Sequence, residues 1–323
     1  MKSWLKVSSV VAASLSLVIS GCGNGSQNSA EDKLQIVTTF YPMYEFSKQI
    51  AGDHANVVAL IPPGAEPHDW EPSAKDMVLL KEADVFVYNG IVEGWAANAL
   101  ASAPNDKRIS VEASKGIAFI AGTEHEEHVA KDDNEAEHEE EGHGLDPHVW
   151  LSPVLAQQEV SAIQAALEQA DPEHKDDYKK NAEAYIAKLK ELDQAFKDGL
   201  KVTKHKEFIT QHAAFGYLAQ QYGLTQVPIA GLSPEQEPSP EQMAQVVEFA
   251  KTHDVGTIFF ETLVDPKVTK VVADEIGAKT EVLNPLEGLT KDDVEHSRDY
   301  ISIMKLNLNA LKKALNEYRT KNE

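Results

Sequence analysis

Cysteine and arginine are nearly missing from this 323-residue chain. It holds one cysteine, Cys22, and only three arginines, Arg108, Arg298 and Arg319. A single thiol excludes an intramolecular disulfide and a zinc site built on cysteines. So few guanidinium groups weaken any case for bidentate phosphate recognition. Basic residues are outnumbered throughout: 30 Lys+Arg stand against 52 Asp+Glu, a formal net charge of −22. A phosphate backbone would be repelled, which excludes nucleic acid as a partner. The apolar run at residues 7–19 is 13 long, short of the roughly 20 residues a membrane-spanning helix needs. Neither a GxSxG nucleophile motif nor a phosphate-cradling glycine loop is present.

What is present first is an address. Lys2 and Lys6 precede the apolar run, which fits the h-region of a secretory signal. Ile19-Ser20-Gly21-Cys22 then resembles the lipobox of bacterial lipoproteins. That resemblance implies a diacylglyceryl group on the Cys22 thiol and removal of residues 1–21 as a signal peptide. Residues 22–32 are mostly small and polar and suit a lipidated, flexible tether. The remainder would be a soluble body held at the extracytoplasmic face of the cell membrane.

That body reads as α/β. Strands are expected at 34–40, 55–61, 85–89 and 109–112, alternating with helices at 43–51, 74–82 and 92–103. Ser152-Pro153 places a capping hydroxyl before proline and opens a helix toward Ala170. Asp171-Pro172 opens another, about 28 residues long at 173–200. Along it Tyr178, Ala182, Tyr185, Leu189, Leu192 and Phe196 form one apolar stripe. The second half repeats the alternation, with strands at 207–211, 226–229, 257–261 and 280–283. Its helices are expected at 213–222, 240–252, 267–275 and 299–318. The expected architecture is two (β/α) lobes with mostly parallel sheets, at 33–171 and 202–323, joined by a spine helix at 172–201.

Twelve histidines in an acidic chain point toward cations. Residues 123–144 carry His125, His128, His138 and His143 among ten acidic residues and one lysine. This segment cannot bury a core and reads as a loop suited to weak, multi-site capture of divalent metal. Its histidine spacings differ from HExxH, which excludes the metalloprotease signature. Three other histidines follow expected strands: His68 in Pro67-His68-Asp69-Trp70-Glu71-Pro72, His148 in Asp146-Pro147-His148-Val149-Trp150, and His212 in Gln211-His212-Ala213. Ligands of open α/β sheets bind beyond the carboxyl ends of strands. Three imidazoles leave one corner of a tetrahedral zinc site to fill. Glu261 ends an expected strand and Glu287 follows one; the two compete for it, and spacing does not choose between them. Asp69 or Asp146 could orient an imidazole. His54, His174, His205, His253 and His296 read as surface residues.

At this point a resemblance becomes specific. Thr39-Phe40-Tyr41-Pro42, the His68, His148 and His212 segments, Phe259-Phe260-Glu261, Asn284-Pro285-Leu286-Glu287-Gly288-Leu289 and Asp299-Tyr300-Ile301-Ser302-Ile303-Met304 occur in an order similar to that of the metal-binding lipoproteins of bacterial ABC importers. The zinc branch, related to ZnuA and AdcA, is the one the chain resembles. The resemblance implies a metal site in the interlobe cleft with His68, His148, His212 and Glu287 as ligands, and Zn2+ as the bound ion. It implies capture of zinc for an ABC permease and ATPase complex by a monomer that is not an enzyme. The manganese branch carries a carboxylate where His212 stands. Some zinc-branch members carry a disulfide in the second lobe, which a chain with one cysteine cannot form. An ion held by all four groups would cross-link the lobes, so affinity is expected to depend on closure, with small lobe movements. The rival readings are a zinc hydrolase, or a manganese-binding or adhesin lipoprotein of the same fold.

Overall fold

The computed structural model describes residues 33–122 and 144–317. The signal and tether segments, Cys22 and the loop histidines His125, His128, His138 and His143 lie outside the described residues.

The first half runs β1 (Leu34–Thr38), α1 (Tyr41–Ala51), β2 (Ala55–Ala59), α2 (Ala74–Glu82), β3 (Val85–Tyr88), α3 (Ala96–Ser102) and β4 (Ile109–Glu112). A 3-10 turn at Val149–Leu151 leads into α4 (Pro153–Ala170) and α5 (Lys175–Leu200). The second half runs β5 (Glu207–Thr210), α6 (Gly216–Tyr222), β6 (Thr225–Pro228), α7 (Pro240–Thr252), β7 (Thr257–Phe260), α8 (Lys267–Ile276), β8 (Lys279–Val282), α9 (Lys291–Glu295) and α10 (Tyr300–Ala314). Each half builds one parallel four-stranded sheet, in the orders β2-β1-β3-β4 and β6-β5-β7-β8. The order reverses between β1 and β3 and again between β5 and β7. Such switch points open a crevice at the carboxyl ends of the strands. This is the two-lobe α/β fold expected.

Local chemistry explains where elements start. The Ser152 hydroxyl accepts the Leu155 amide while Pro153 opens α4. Asp171-Pro172 does not open α5 in the same way. The helix begins at Lys175, because Asp171 is taken up by the Tyr178 hydroxyl at 2.7 Å and His174 Nδ1 at 2.6 Å. The helix expected at 92–103 is realised only as α3. Glu93 is 1% exposed and turns back to accept the amides of Asn89 and Gly90, which holds the preceding residues as a loop. Likewise α6 begins at Gly216, since the Ala213 amide bonds out to the Gly231 carbonyl.

The stripe on α5 faces inward as expected: Tyr178, Ala182, Tyr185, Leu189, Leu192 and Phe196 are all buried. Burying each of the larger ones contributes about 1.5–3 kcal/mol. They pack with α1, α4 and α10 into one core that runs from Ile36 and Phe40, through Trp150, to Phe259, Leu283 and Tyr300.

Candidate metal centre

Four side chains converge beyond the carboxyl ends of the two sheets. His212 follows β5. Its carbonyl accepts the Thr210 hydroxyl at 2.7 Å and the Gln226 amide at 2.9 Å. His148 precedes the 3-10 turn, where Trp150 is fully buried against Phe40. His68 stands on the segment after β2. Glu287 lies on the loop after β8, behind Leu286, whose φ of 60° is unusual for a residue with a side chain. That loop is fixed from several sides. Asn307 accepts the Asn284 amide at 2.9 Å and donates to its carbonyl at 2.7 Å. The Asn284 side chain accepts the Leu286 amide at 2.8 Å, and Trp150 Nε1–H donates to the Pro285 carbonyl at 2.8 Å.

The resulting geometry is compact. One ligand atom from each of His68, His148, His212 and Glu287 lies within 4.8 Å of all the others, and this is the one such group among the described residues. Glu287 Oε1 is 3.2 Å from His68 Nε2, 3.3 Å from His148 Nε2 and 3.4 Å from His212 Nε2. His148 Nε2 is 3.3 Å from both His68 Nε2 and His212 Nε2. A tetrahedron with bonds of about 2.0–2.1 Å to nitrogen or oxygen has edges of about 3.3–3.4 Å. Five of the six edges here, at 3.2–3.4 Å, are close to it.

Glu261 and Glu287 are separated by this geometry. Glu261 lies on the far side of the His212 ring, 2.5 Å from Nδ1, and not among the four converging atoms. Asp146 plays a similar part at His148, 2.8 Å from its Nδ1. Gly216 leaves Asp146 room: a Cβ there would sit 2.6 Å from Oδ2. Asp69, the other residue expected to orient an imidazole, is exposed instead. His253 and His296 are exposed as expected, whereas His54, His174 and His205 are half-buried.

Burial penalises charge at the centre, yet its groups compensate one another. For Glu287, desolvation pushes the carboxyl up, but His212 and hydrogen bonds from the imidazoles hold it well below the usual range. For His212, burial disfavours the imidazolium, but Glu261 and Glu287 raise its pKa to about 10. His148 is raised as well, burial being outweighed by Asp146 and Glu287. The centre thus pairs imidazoles that hold protons tightly with a carboxyl that gives its proton up readily.

Sequence reasoning missed Glu66. Its carboxylate accepts the His68 backbone amide at 3.0–3.1 Å and lies 3.9 Å from His68 Nε2. Burial raises its pKa first, and the Glu287 charge adds to that. A signal for it exists: acidic-Pro-His-x-Trp occurs twice, as Glu66-Pro67-His68-Asp69-Trp70 and Asp146-Pro147-His148-Val149-Trp150. In both copies the acid accepts the amide of its histidine.

Two parallel-sheet lobes with three imidazoles and a carboxylate gathered at their strand ends define a solute-binding protein built for a cation. The family model described as "ZnuA: Zinc-uptake complex component A periplasmic" matches residues 36–314, and the chain belongs to that family. Proteins of this family work with ABC importers. The chain is 52% identical over 310 residues to the high-affinity zinc uptake system protein ZnuA of Bacillus subtilis, covering 94% of this chain and 96% of that protein. It is 44% identical over 315 residues to the zinc-binding lipoprotein AdcA of Streptococcus pneumoniae, covering 97% of this chain but 61% of AdcA. The crystal structure of the Zn(II)-bound ZnuA-like domain of that AdcA superposes with a TM-score of 0.74 at 43% identity, covering 88% of this chain and all of that domain.

Proposed function

We propose that this chain captures Zn2+ outside the cytoplasm and delivers it to the permease and ATPase of an ABC importer. The observation that carries the reading is the near-tetrahedral set of 3.2–3.4 Å separations among His68, His148, His212 and Glu287. These four bind the ion as cargo. Imidazole nitrogens favour zinc over manganese or calcium. A hydrolytic zinc keeps its fourth corner for water, and here Glu287 Oε1 stands at that corner, which supports binding without catalysis. The protein acts as a monomer with lobes at 33–171 and 202–323 about the helix at 172–201. It is anchored to the cell membrane by a lipid on Cys22 after removal of residues 1–21, with 22–32 as tether. His125, His128, His138 and His143 raise the local zinc supply without forming the principal site. The names of the relatives, one a zinc uptake protein and one a zinc-binding lipoprotein, agree with this reading.

The test is zinc titration of a chain whose four loop histidines are replaced by alanine. One tight site per molecule is expected, and His212→Ala in that background is expected to weaken it by far more than tenfold. An affinity within about twofold of the parent would reject the assignment.

A further inference from the structure

We propose that Glu261 is the positioning residue for His212: it holds the ring with a proton on Nδ1 and Nε2 turned to the ion, and does not itself touch the ion. The inference rests on the zinc-binding reading above. Glu261 follows β7 and His212 follows β5, neighbouring strands at the switch point of the second sheet. One oxygen, Glu261 Oε1, accepts both the His212 backbone amide at 3.1 Å and the ring Nδ1–H at 2.5 Å. Two bonds from one residue into one acceptor fix the ring's rotation as well as its tautomer. An imidazole whose Nδ1–H is committed to a carboxylate has only Nε2 left for a metal, and the carboxylate makes that nitrogen a stronger donor. His212 Nε2 indeed faces His148 Nε2 and Glu287 Oε1.

Two further observations favour a positioning role over a packing role. Glu261 is only 3% exposed, and its ion pair among the described residues is with His212. A buried carboxylate is costly unless paired, so its place in the fold is tied to that imidazole. The first lobe also contains the same clamp: Asp146 Oδ1 accepts the His148 amide at 2.9 Å and its Nδ1–H at 2.8 Å. The two clamps are reached by different routes, one from two residues upstream and one from a neighbouring strand. Two fully buried histidines of the centre thus share one mode of support.

The experiment uses the full chain with the four loop histidines replaced by alanine. Zinc affinity is measured by chelator competition for this parent, Glu261→Gln and His212→Ala. Glutamine keeps the shape and an acceptor oxygen but removes the charge. Glu261→Gln is expected to weaken zinc binding by about 10–100-fold while leaving one zinc per chain. In the zinc-loaded parent, proton NMR is expected to show a His212 Nδ1–H resonance far downfield, which moves upfield in Glu261→Gln. The parent spectrum does not depend on how well any variant folds. The proposal falls if Glu261→Gln binds zinc within twofold of the parent, or if the zinc-loaded parent has no proton on His212 Nδ1. If His212→Ala also leaves affinity unchanged, it is the metal site itself that is misassigned.

Discussion

Replacing Glu159 by glutamine isolates a buried proton. Glu159, on α4, and Asn89, at the end of β3, are both 0% exposed. They are joined by Asn89 Nδ2–H donating to Glu159 Oε1 at 3.1 Å. Glu159 Oε2 and Asn89 Oδ1 are both buried without a donor. Nearby Glu93 has a fuller complement, from Thr39 Oγ1 and the amides of Asn89 and Gly90. Burial raises both carboxyls, Glu159 to about 8 with the Glu93 charge adding to it, so Glu159 keeps its proton at neutral pH. The sign follows from linkage. The folded state binds this proton more tightly than the unfolded chain, so the contribution to stability is present below 4.5 and is lost as pH rises toward 8. At 1.36 kcal/mol per pH unit, the interval from 4.5 to about 8 sets a ceiling of roughly 5 kcal/mol. Glutamine stays neutral and keeps an oxygen that can accept from Asn89 Nδ2–H. Glu159→Gln should therefore gain stability relative to the parent as pH rises from 5 to 8, by a few kcal/mol, and level off above. Guanidinium melts of both metal-free proteins across pH 5–9 measure this, the difference cancelling the titrating groups that do not interact with Glu159. A difference that stays flat over that range would refute the reasoning.

Two other perturbations address the centre and its support. Zinc affinity should fall at least tenfold per pH unit between pH 7 and 5, because His212, raised to about 10, must give up a proton to bind; in titrations in buffered zinc at several pH values, a slope well under tenfold per unit would mean that no raised imidazole loses a proton on binding. Trp150→Phe should destabilise the metal-free protein by about 1–3 kcal/mol, since the Pro285 carbonyl then loses its buried donor. Denaturant melts check it, and a change within experimental error would mean the bond is replaced by another.

The parts of the centre legible in the sequence were those set by strand ends. His212, Glu261 and Glu287 follow β5, β7 and β8, and the alternation of strands and helices brings such ends together. The choice between the two glutamates was not legible, because it depends on where each side chain points. Glu287 is aimed by its neighbour, the left-handed Leu286, and by Asn307 and Trp150, which are distant in the chain from it and from each other. The repeated acidic-Pro-His-x-Trp pattern did carry the supporting roles of Glu66 and Asp146. The 3-10 turn at Val149–Leu151 and the short α9 were missed, being too brief to leave a periodic signal. The loop at Glu93 looked helical for a different reason: its backbone amides are satisfied by a side chain, an arrangement that hydrophobic period does not register.

The stiffness expected from the long α5 has a second source that no spacing revealed. His148 was assigned to the first lobe, yet its neighbours are bonded into the second. The Tyr217 hydroxyl donates to the Asp146 carbonyl at 2.6 Å, the Tyr300 hydroxyl to the Trp150 carbonyl at 2.5 Å, and Trp150 Nε1–H to the Pro285 carbonyl at 2.8 Å. All three bonds are buried, beside a core that is continuous between the sheets. Parting the lobes there would exchange three buried hydrogen bonds for bonds to water, at about 0.5–1.5 kcal/mol each, besides exposing Trp150, Phe40 and Tyr300. His148, His212 and Glu287 are therefore held near one another by folding itself, at 0–2% exposure. Their relative positions are thus set by packing and hydrogen bonds that join the two sheets, and not by the α5 helix alone.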